Sequence, residues 1–357
     1  MKKTENVLTF REIFPTNSKG RVNRAGENLA SGQATQDDLT AIENWRASHN
    51  HILNTFQANL RRRAKLSNAR TPVQRIKRLE TIENKLRRYP NMRLARMQDI
   101  VGCRVVFENL DELHAFRSKF NRSRFSHKRR MKKDQAGKEV DAYNYINRPK
   151  PSGYRGVHDV FEFRAKQAGR SKAAGGERWN GLNIEIQYRT KVQHAWATAV
   201  EICDNYTENH GKFSNAPDEY LLYFQIASEL LARTFEDRRS CLPNWTIKEL
   251  TSRFEVLEAE HGMLSTLAGI QPNDENFPAE RNTLLIFNNE TGETEVLVFQ
   301  NFRDAVQNYF KLERESADGI DVVLVAADDP ESVRYGFKNY FSDAKDFVNY
   351  IQDALYA

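Results

Sequence analysis

MQDIVGCRVVF (97–107) is the stretch on which the fold turns, because the residue pattern changes within it. CRVVF (103–107) is short and rich in β-branched and aromatic residues, as a strand requires. VFEF (160–163) and NIEIQY (183–188) have the same character and read as two further strands. LDELHAFRSKF reads as a helix between the first two, followed by a polar basic stretch. The Gly/Lys-rich KQAGRSKAAGGERWNG, between the last two, reads as a long hairpin connection. Toward the N-terminus, residues 27–63 carry Leu29, Leu39, Ile42, Trp45, Phe56 and Leu60 at roughly helical spacing. A second helix is expected to open at Thr71 and Pro72, to run through VQRIKRLETIENKLRR and to stop at Pro90. Toward the C-terminus, helices are expected at 190–208 and 217–262, followed by a linker at QPNDENFP (271–278). TLLIF, a turn at NNETGE, TEVLVF, a helix at 301–312, DVVLVA and a helix at 342–355 then form a small α+β module. Neither an internal repeat nor a heptad pattern is present.

The 357 residues suggest about two domains. With 39% hydrophobic and 29% charged residues, the composition is that of a soluble globular protein. Uninterrupted apolar runs fall well short of the ~18 residues of a membrane span. MKKTENVLTF has no apolar segment behind its lysines, so a secretion signal is not expected. Cys103, Cys203 and Cys241 lie far apart without a CxxC, which fits neither a zinc finger nor a disulfide framework. The expected location is the cytoplasm. Residues 271–357 contain 17 acids and 7 Lys/Arg, a net of −10, which leaves +16 for the first 270 residues of the +6 total. Two readings fit: a polyanion-binding body whose tail competes for its basic surface, or two domains of different isoelectric point. Residues 59–79 hold eight Lys/Arg and no acid, and residues 113–133 hold nine and no acid. Such runs suit a phosphate-rich partner.

GxxxxGK[ST], HExxH and GxSxG are all missing. What remains is a set of polar residues beside the strands. Asp99 stands directly before IVGCRVVF. Glu185 alternates with Ile184 and Ile186 and so faces the opposite side of its strand. A carboxylate on a central strand is costly to bury unless paired or metal-bound. Arg75, Lys77, Lys85, Arg104, Lys150, Arg155 and Arg189 surround the two acids, which points either to magnesium with a polyphosphate or to an Arg–carboxylate network.

IKRLETIENKLRR, MQDIVGCRVVF, INRPKPSGYRGVHDVFEF and IEIQYRTKVQHAWA, in this order and spacing, closely resemble the RelA/SpoT-type nucleotide pyrophosphokinase domain over roughly residues 40–210. The elements DIxGxR, KPxGYRxxH and EIQxRT carry the resemblance. It implies an α+β fold in which a mixed β-sheet flanked by helices binds ATP and magnesium. The β,γ-pyrophosphate then passes to a ribose 3′-hydroxyl and AMP leaves. The domains implied are a synthetase at 1–265 with flanking helices, a linker at 266–282 and a C-terminal domain at 283–357. By position, Arg75 would lie against the adenine, Lys77 and Lys85 on the ATP phosphates, and Arg104 in the same donor site. Asp99 and Glu185 would be the catalytic pair and hold magnesium, with Glu185 also activating the hydroxyl. Tyr154 would stack on the acceptor base, with Lys150, His158 and Gln187 around it. His158 and Asp159 lie inside the acceptor element and nothing resembles an HD hydrolase domain, so a synthetase alone is expected.

One departure bears on the acceptor. Alarmone synthetases usually place a Lys-Asp pair before the Tyr-Ile that leads into PKxxGY, and here the stretch reads YNYI (143–146). The lysine that would face the phosphates of GDP or GTP is replaced. An acceptor with a long anionic backbone fits the basic runs better, as in the toxic branch of the family that pyrophosphorylates the 3′-terminal adenosine of tRNA. The C-terminal module resembles the pseudo-zinc-finger antitoxin domain of fused CapRel-type antiphage proteins. Residues 271–357 have neither Cys nor His to hold zinc. In that group a YxxY element folds back on the nucleotide site. FKNY (337–340), with Phe337 and Tyr340, is the nearest match here, either as such a latch or as core of a small domain. The expectation is an autoinhibited toxin acting on the tRNA acceptor stem and released by a phage capsid protein. The alternatives are a small alarmone synthetase making (p)ppGpp or (pp)pApp, and an inactive RNA-binding protein.

Overall fold

The computed structural model describes residues 13–70, 72–165, 175–210, 217–270, 282–316, 319–325 and 330–356. MKKTENVLTF, Thr71, most of the Gly/Lys-rich loop and the QPNDENFP linker lie outside the described residues. The chain begins with α1 (Lys19–Ala30), α2 (Gln36–Ser48) and α3 (Asn50–Ala64). The single helical segment expected at 27–63 is therefore divided. Gly32 adopts φ +71°, and Thr35 starts α2 with a capping box completed by Asp38.

Next come β1 (Val73–Ile76), α4 (Leu79–Arg88), β2 (Val101–Phe107) and α5 (Leu110–Asn121). VQRI, expected to be helical, is strand β1: it runs antiparallel to β2, with Val73 opposite Arg104 and Ile76 opposite Val101. The free edge of β2 offers backbone hydrogen bonds that a helix there would leave unmet, and this outweighs the local periodicity. The helix starts only at Leu79.

The remaining strands of this half are β3 (Lys128–Arg130), the short pair β4 (Lys132–Lys133) and β5 (Glu139–Val140), β6 (Val157–Glu162) and β7 (Asn183–Thr190). The main sheet has the order β1-β2-β7-β6-β3; β2 and β7 are parallel and every other pair is antiparallel. It is the mixed sheet expected. Its centre is fully covered, with Val101, Val105, Ile184, Ile186 and Tyr188 all buried. Register places Gly102 beside Glu185 and Arg104 beside Gln187, while His158 of β6 stands opposite Gln187 from the other side. Residues far apart in the chain thus meet at one end of the sheet.

Helices α6 (Lys191–His210), α7 (Pro217–Glu236), α8 (Ile247–His261) and α9 (Met263–Gly269) follow. The long helix expected at 217–262 is interrupted after Glu236, where Asp237 has φ +47° and Pro243 follows. A second sheet of order β10-β8-β9 is built from β8 (Thr283–Asn288), β9 (Thr294–Val298) and β10 (Ile320–Val325). α10 (Phe302–Glu315), α11 (Pro330–Gly336) and α12 (Lys345–Tyr356) complete the chain.

This C-terminal part shares its apolar interior with the rest. Ala305, Tyr309, Phe310, Val322 and Leu324 join the cluster that holds Trp45, Ile76 and Val101. Phe347, Val348 and Ile351 of α12 pack with Trp196, Phe224 and Phe254 of the α6–α8 group. A third cluster joins Val73 of β1 to Leu285, Phe287, Val323, Phe337 and Phe341. Each fully buried large apolar side chain contributes about 1.5–3 kcal/mol.

Candidate active site

Asp99 sits in the turn ahead of β2, with a lysine on each side. Lys77 Nζ donates to its Oδ2 at 2.9 Å, and Lys85 Nζ reaches both oxygens at 2.8 Å. Lys77 follows the end of β1, and Lys85 lies in the last turn of α4, so the strand-to-helix turn at 76–79 converges both on one carboxylate. Burial alone would raise the Asp99 carboxyl, but the Lys77 and Lys85 charges outweigh it and hold the group below the usual range. Burial pushes the Lys77 ammonium down, with nearby Arg75 adding to the effect.

Glu185 projects from β7 into the same space. His158 Nδ1 lies 3.0 Å from its Oε1, and Gln187 Nε2 donates to Oε2 at 2.8 Å. Burial would raise Glu185 too, and the adjacent imidazole outweighs it, so the carboxyl stays ionised. The chain of contacts continues outward. The Tyr154 hydroxyl is 2.6 Å from His158 Nε2 and accepts from Arg189 Nη2 at 3.3 Å. Burial opposes ionisation of this phenol, while Arg189 and His158 favour it and bring it below the ordinary tyrosine value. Lys150 Nζ lies 4.9 Å from the Tyr154 ring centre and 4.5 Å from that of Tyr145. Gly153 allows the turn that presents Tyr154. Its φ is +88°, and a Cβ there would meet Ser228 Cβ at 3.0 Å and the Phe224 carbonyl at 3.1 Å.

Gln74, Arg75, Asp99, Gly102, Arg104, Glu185 and Gln187 line one pocket together with Phe337 of the C-terminal part. The space left is about 20 Å³, room for a water and not for a nucleotide. Arg104 is buried and donates from Nη1 to the Gly336 carbonyl at 3.1 Å; burial and the neighbouring Arg189 bring its guanidinium down to about 9. His194 Nε2 lies 2.9 Å from the Tyr335 carbonyl. Backbone oxygens of the C-terminal segment therefore occupy the Arg104 guanidinium and the His194 imidazole, the latter kept neutral by burial and by the neighbouring Arg104 and Arg189 charges. Gly336 lies so close to β1 that a Cβ would fall 2.6 Å from Val73 Cγ1. Tyr340 lines the adjoining cavity with Arg75, Lys77, Arg78 and Asn339.

The sheet thus gathers the expected donor residues Arg75, Lys77, Lys85, Asp99 and Arg104 with Glu185 and Gln187. Tyr154, His158 and Lys150 connect to them through the His158–Glu185 contact. The basic stretch at 113–133 divides in two. Arg117 is bonded to Asp159 and Asp141, and Arg129 pairs with the same two acids, so neither is free for a polyanion. Lys128, Arg130, Lys132 and Lys133 remain exposed along the β3 edge and the adjoining short strand pair. The sequence places Arg189 among the surrounding cations without linking it to Tyr154, and nothing in its pattern singles out Tyr145 within YNYI. Arg46 and Glu313 carry no sequence signal.

Two ionised carboxylates, four cations and a hydrogen-bonded His–Tyr pair meet at one sheet end, a set of groups suited to phosphoryl chemistry. Magnesium is commonly held by one or two carboxylates together with substrate phosphates, and Asp99 and Glu185 fit that donor set. Residues 74–211 match the family model described as a region found in RelA/SpoT proteins, and this match supports a pyrophosphokinase. Among solved structures, small alarmone synthetase 1 from Bacillus subtilis bound to its product pppGpp is 25% identical, with 52% of this chain and 88% of that chain covered and a TM-score of 0.40. Small alarmone synthetase 2 from Bacillus subtilis is 20% identical over 52% of this chain and 90% of that one, with a TM-score of 0.40. A GTP pyrophosphokinase family protein from Streptococcus pneumoniae is 18% identical over 61% and 90%, with a TM-score of 0.34. No curated protein gives a significant match. Among the described residues, no helix is long and apolar enough to cross a membrane.

Proposed function

We propose that the chain is an autoinhibited toxin that transfers pyrophosphate from ATP to the 3′-hydroxyl at the tRNA acceptor end. The observation that carries this reading is the position of Phe337, in the pocket shared by Asp99, Arg75, Arg104 and Glu185. In the open form, Arg75, Lys77, Lys85 and Arg104 bind the ATP and neutralise its phosphates. Asp99 and Glu185 would hold magnesium, which would supply charge neutralisation at the transferred group. Glu185, oriented by His158 and Gln187, accepts the hydroxyl proton, and Tyr154 stacks on the terminal base. In-line transfer at phosphorus needs positioning and charge neutralisation above all. A phage capsid protein that binds the C-terminal unit at 283–357 would draw the segment at 335–340 out of the donor pocket and let translation be blocked in the cytoplasm. Such a trigger must bind the open form more tightly than the closed one.

The test is transfer of labelled pyrophosphate from ATP, with tRNA and with GDP, GTP and ATP as competing acceptors. Label on tRNA supports the proposal; label on the nucleotides alone makes the protein a small alarmone synthetase. Tyr154→Ala is expected to remove base stacking worth ~1–3 kcal/mol, about 5- to 150-fold in activity. Tyr154→Phe keeps the ring and loses only the bonds to His158 and Arg189, so it should retain acceptor KM and lower kcat. An unchanged acceptor KM in Tyr154→Ala would remove the stacking role.

Reversing Lys128, Lys132 and Lys133 to Glu is expected to weaken tRNA use and to reduce the slope of log affinity against log salt by about 1 for each phosphate no longer neutralised. ATP affinity should stay the same. An unchanged salt slope would make this edge a solvated face.

A further inference from the structure

Arg46 on α2 is completely buried, and its charge is met by a carboxylate from the far end of the chain. Glu313 of α10 takes Arg46 Nη1 at 2.5 Å on one oxygen and Nη2 at 2.9 Å on the other. The same guanidinium donates from Nε and Nη2 to the Lys77 carbonyl, at 3.1 and 2.8 Å, and from Nη2 to the Tyr309 hydroxyl at 2.7 Å. Glu313 also accepts from the Leu79 amide at 2.9 Å. The turn at 77–79 is therefore held from behind at two points, its first carbonyl by Arg46 and its last amide by Glu313. Between them, Arg78 pairs with Asp321 of β10. From the front of this turn, Lys77 reaches Asp99.

We infer that Glu313 is a positioning residue for the donor site: through Arg46 and the Leu79 amide it fixes the turn that aims Lys77 at Asp99. This rests on the proposed ATP-donor role of Lys77. The C-terminal unit then has two opposed parts. The segment at 335–340 covers the donor pocket, while α10 completes it. Without Glu313, Arg46 would be a buried charge with no carboxylate, and the turn would shift to admit water or another acceptor. A displacement near 1 Å at a phosphate-binding lysine is enough to reduce kcat/KM for ATP substantially, by up to about 10²-fold.

The experiment uses the full chain carrying Phe337→Ala, with and without Glu313→Gln, a replacement of equal shape that loses the charge. Arg46→Lys, which keeps the charge and loses the fork that bridges Lys77 and Glu313, is the second variant. Transfer is measured with ATP varied, and amide exchange is followed by peptide. The expected result is about a tenfold rise in KM for ATP with kcat changed less than about twofold, and faster exchange confined to 77–82, in both variants. Unchanged KM and exchange would overturn the inference. So would loss of protection throughout the main sheet, which would make the pair a general brace. If the Phe337→Ala parent transfers nothing from ATP, the donor reading fails; the exchange data still decide whether Glu313 holds the turn.

Discussion

Asp99→Asn is expected to reduce pyrophosphate transfer by about 10³-fold, since a metal ion of the kind proposed at Asp99 supplies several kcal/mol of charge stabilisation and each 1.36 kcal/mol is a factor of ten. Both oxygens of Asp99 are engaged, and Asn cannot receive two ammoniums while holding a cation. The change also leaves Lys77, nearly buried, without its carboxylate, at a cost of about 1–3 kcal/mol in stability. The fold should survive, because the sheet core around Val101 and Ile186 is untouched. Transfer assays with circular dichroism melting separate the two effects. Glu185→Gln is expected to behave in the same way and to loosen His158 as well. Wild-type transfer by a folded Asp99→Asn protein would remove the metal assignment.

Phe337→Ala is expected to open the donor pocket. Removing a buried Phe typically costs about 3–5 kcal/mol, and only part of it falls on the docked contact, because Phe337 packs against Val73 of β1 and also against Val333, Tyr340 and Phe341 of its own unit. At about 1.4 kcal/mol per factor of ten, the closed-to-open ratio should fall by up to about 10²–10³. A protein that is almost wholly closed would become substantially open, since a complete 1:99 to 99:1 switch needs about 5.5 kcal/mol. ATP-analogue affinity should rise by at least about tenfold, and cells expressing the variant should stop growing without phage. Tyr340→Ala should act in the same direction and less strongly, because Tyr340 lies in the adjoining cavity. Normal growth with unchanged nucleotide affinity would mean the segment does not restrain the enzyme. Point changes are the better probe. Deleting 271–357 would also strip Tyr309, Phe310, Phe347 and Ile351 from the cores they complete.

Local pattern was enough for the three strands CRVVF, VFEF and NIEIQY, because β-branched runs and two-residue alternation report directly on a covered pleated surface. The same alternation assigned Glu185 to the polar side of its strand, while Tyr154 and His158 were candidates only through the resemblance to the RelA/SpoT-type domain. Pattern failed where a partner decides. VQRI is a strand only because β2 offers an unpaired edge, and a four-residue run contains no record of that edge. Arg117 and Arg129 look like part of a polyanion-binding run, yet folding brings Asp159 and Asp141 to them. Arg46 and Glu313 are 267 residues apart, and no periodicity links them. Phe337 could equally have been core of a small domain; its place beside Arg75 and Glu185 comes from the docking of one sheet against the edge of another. Periodicity identifies which face of an element is buried, but the identity of what covers that face depends on contacts between distant parts of the chain.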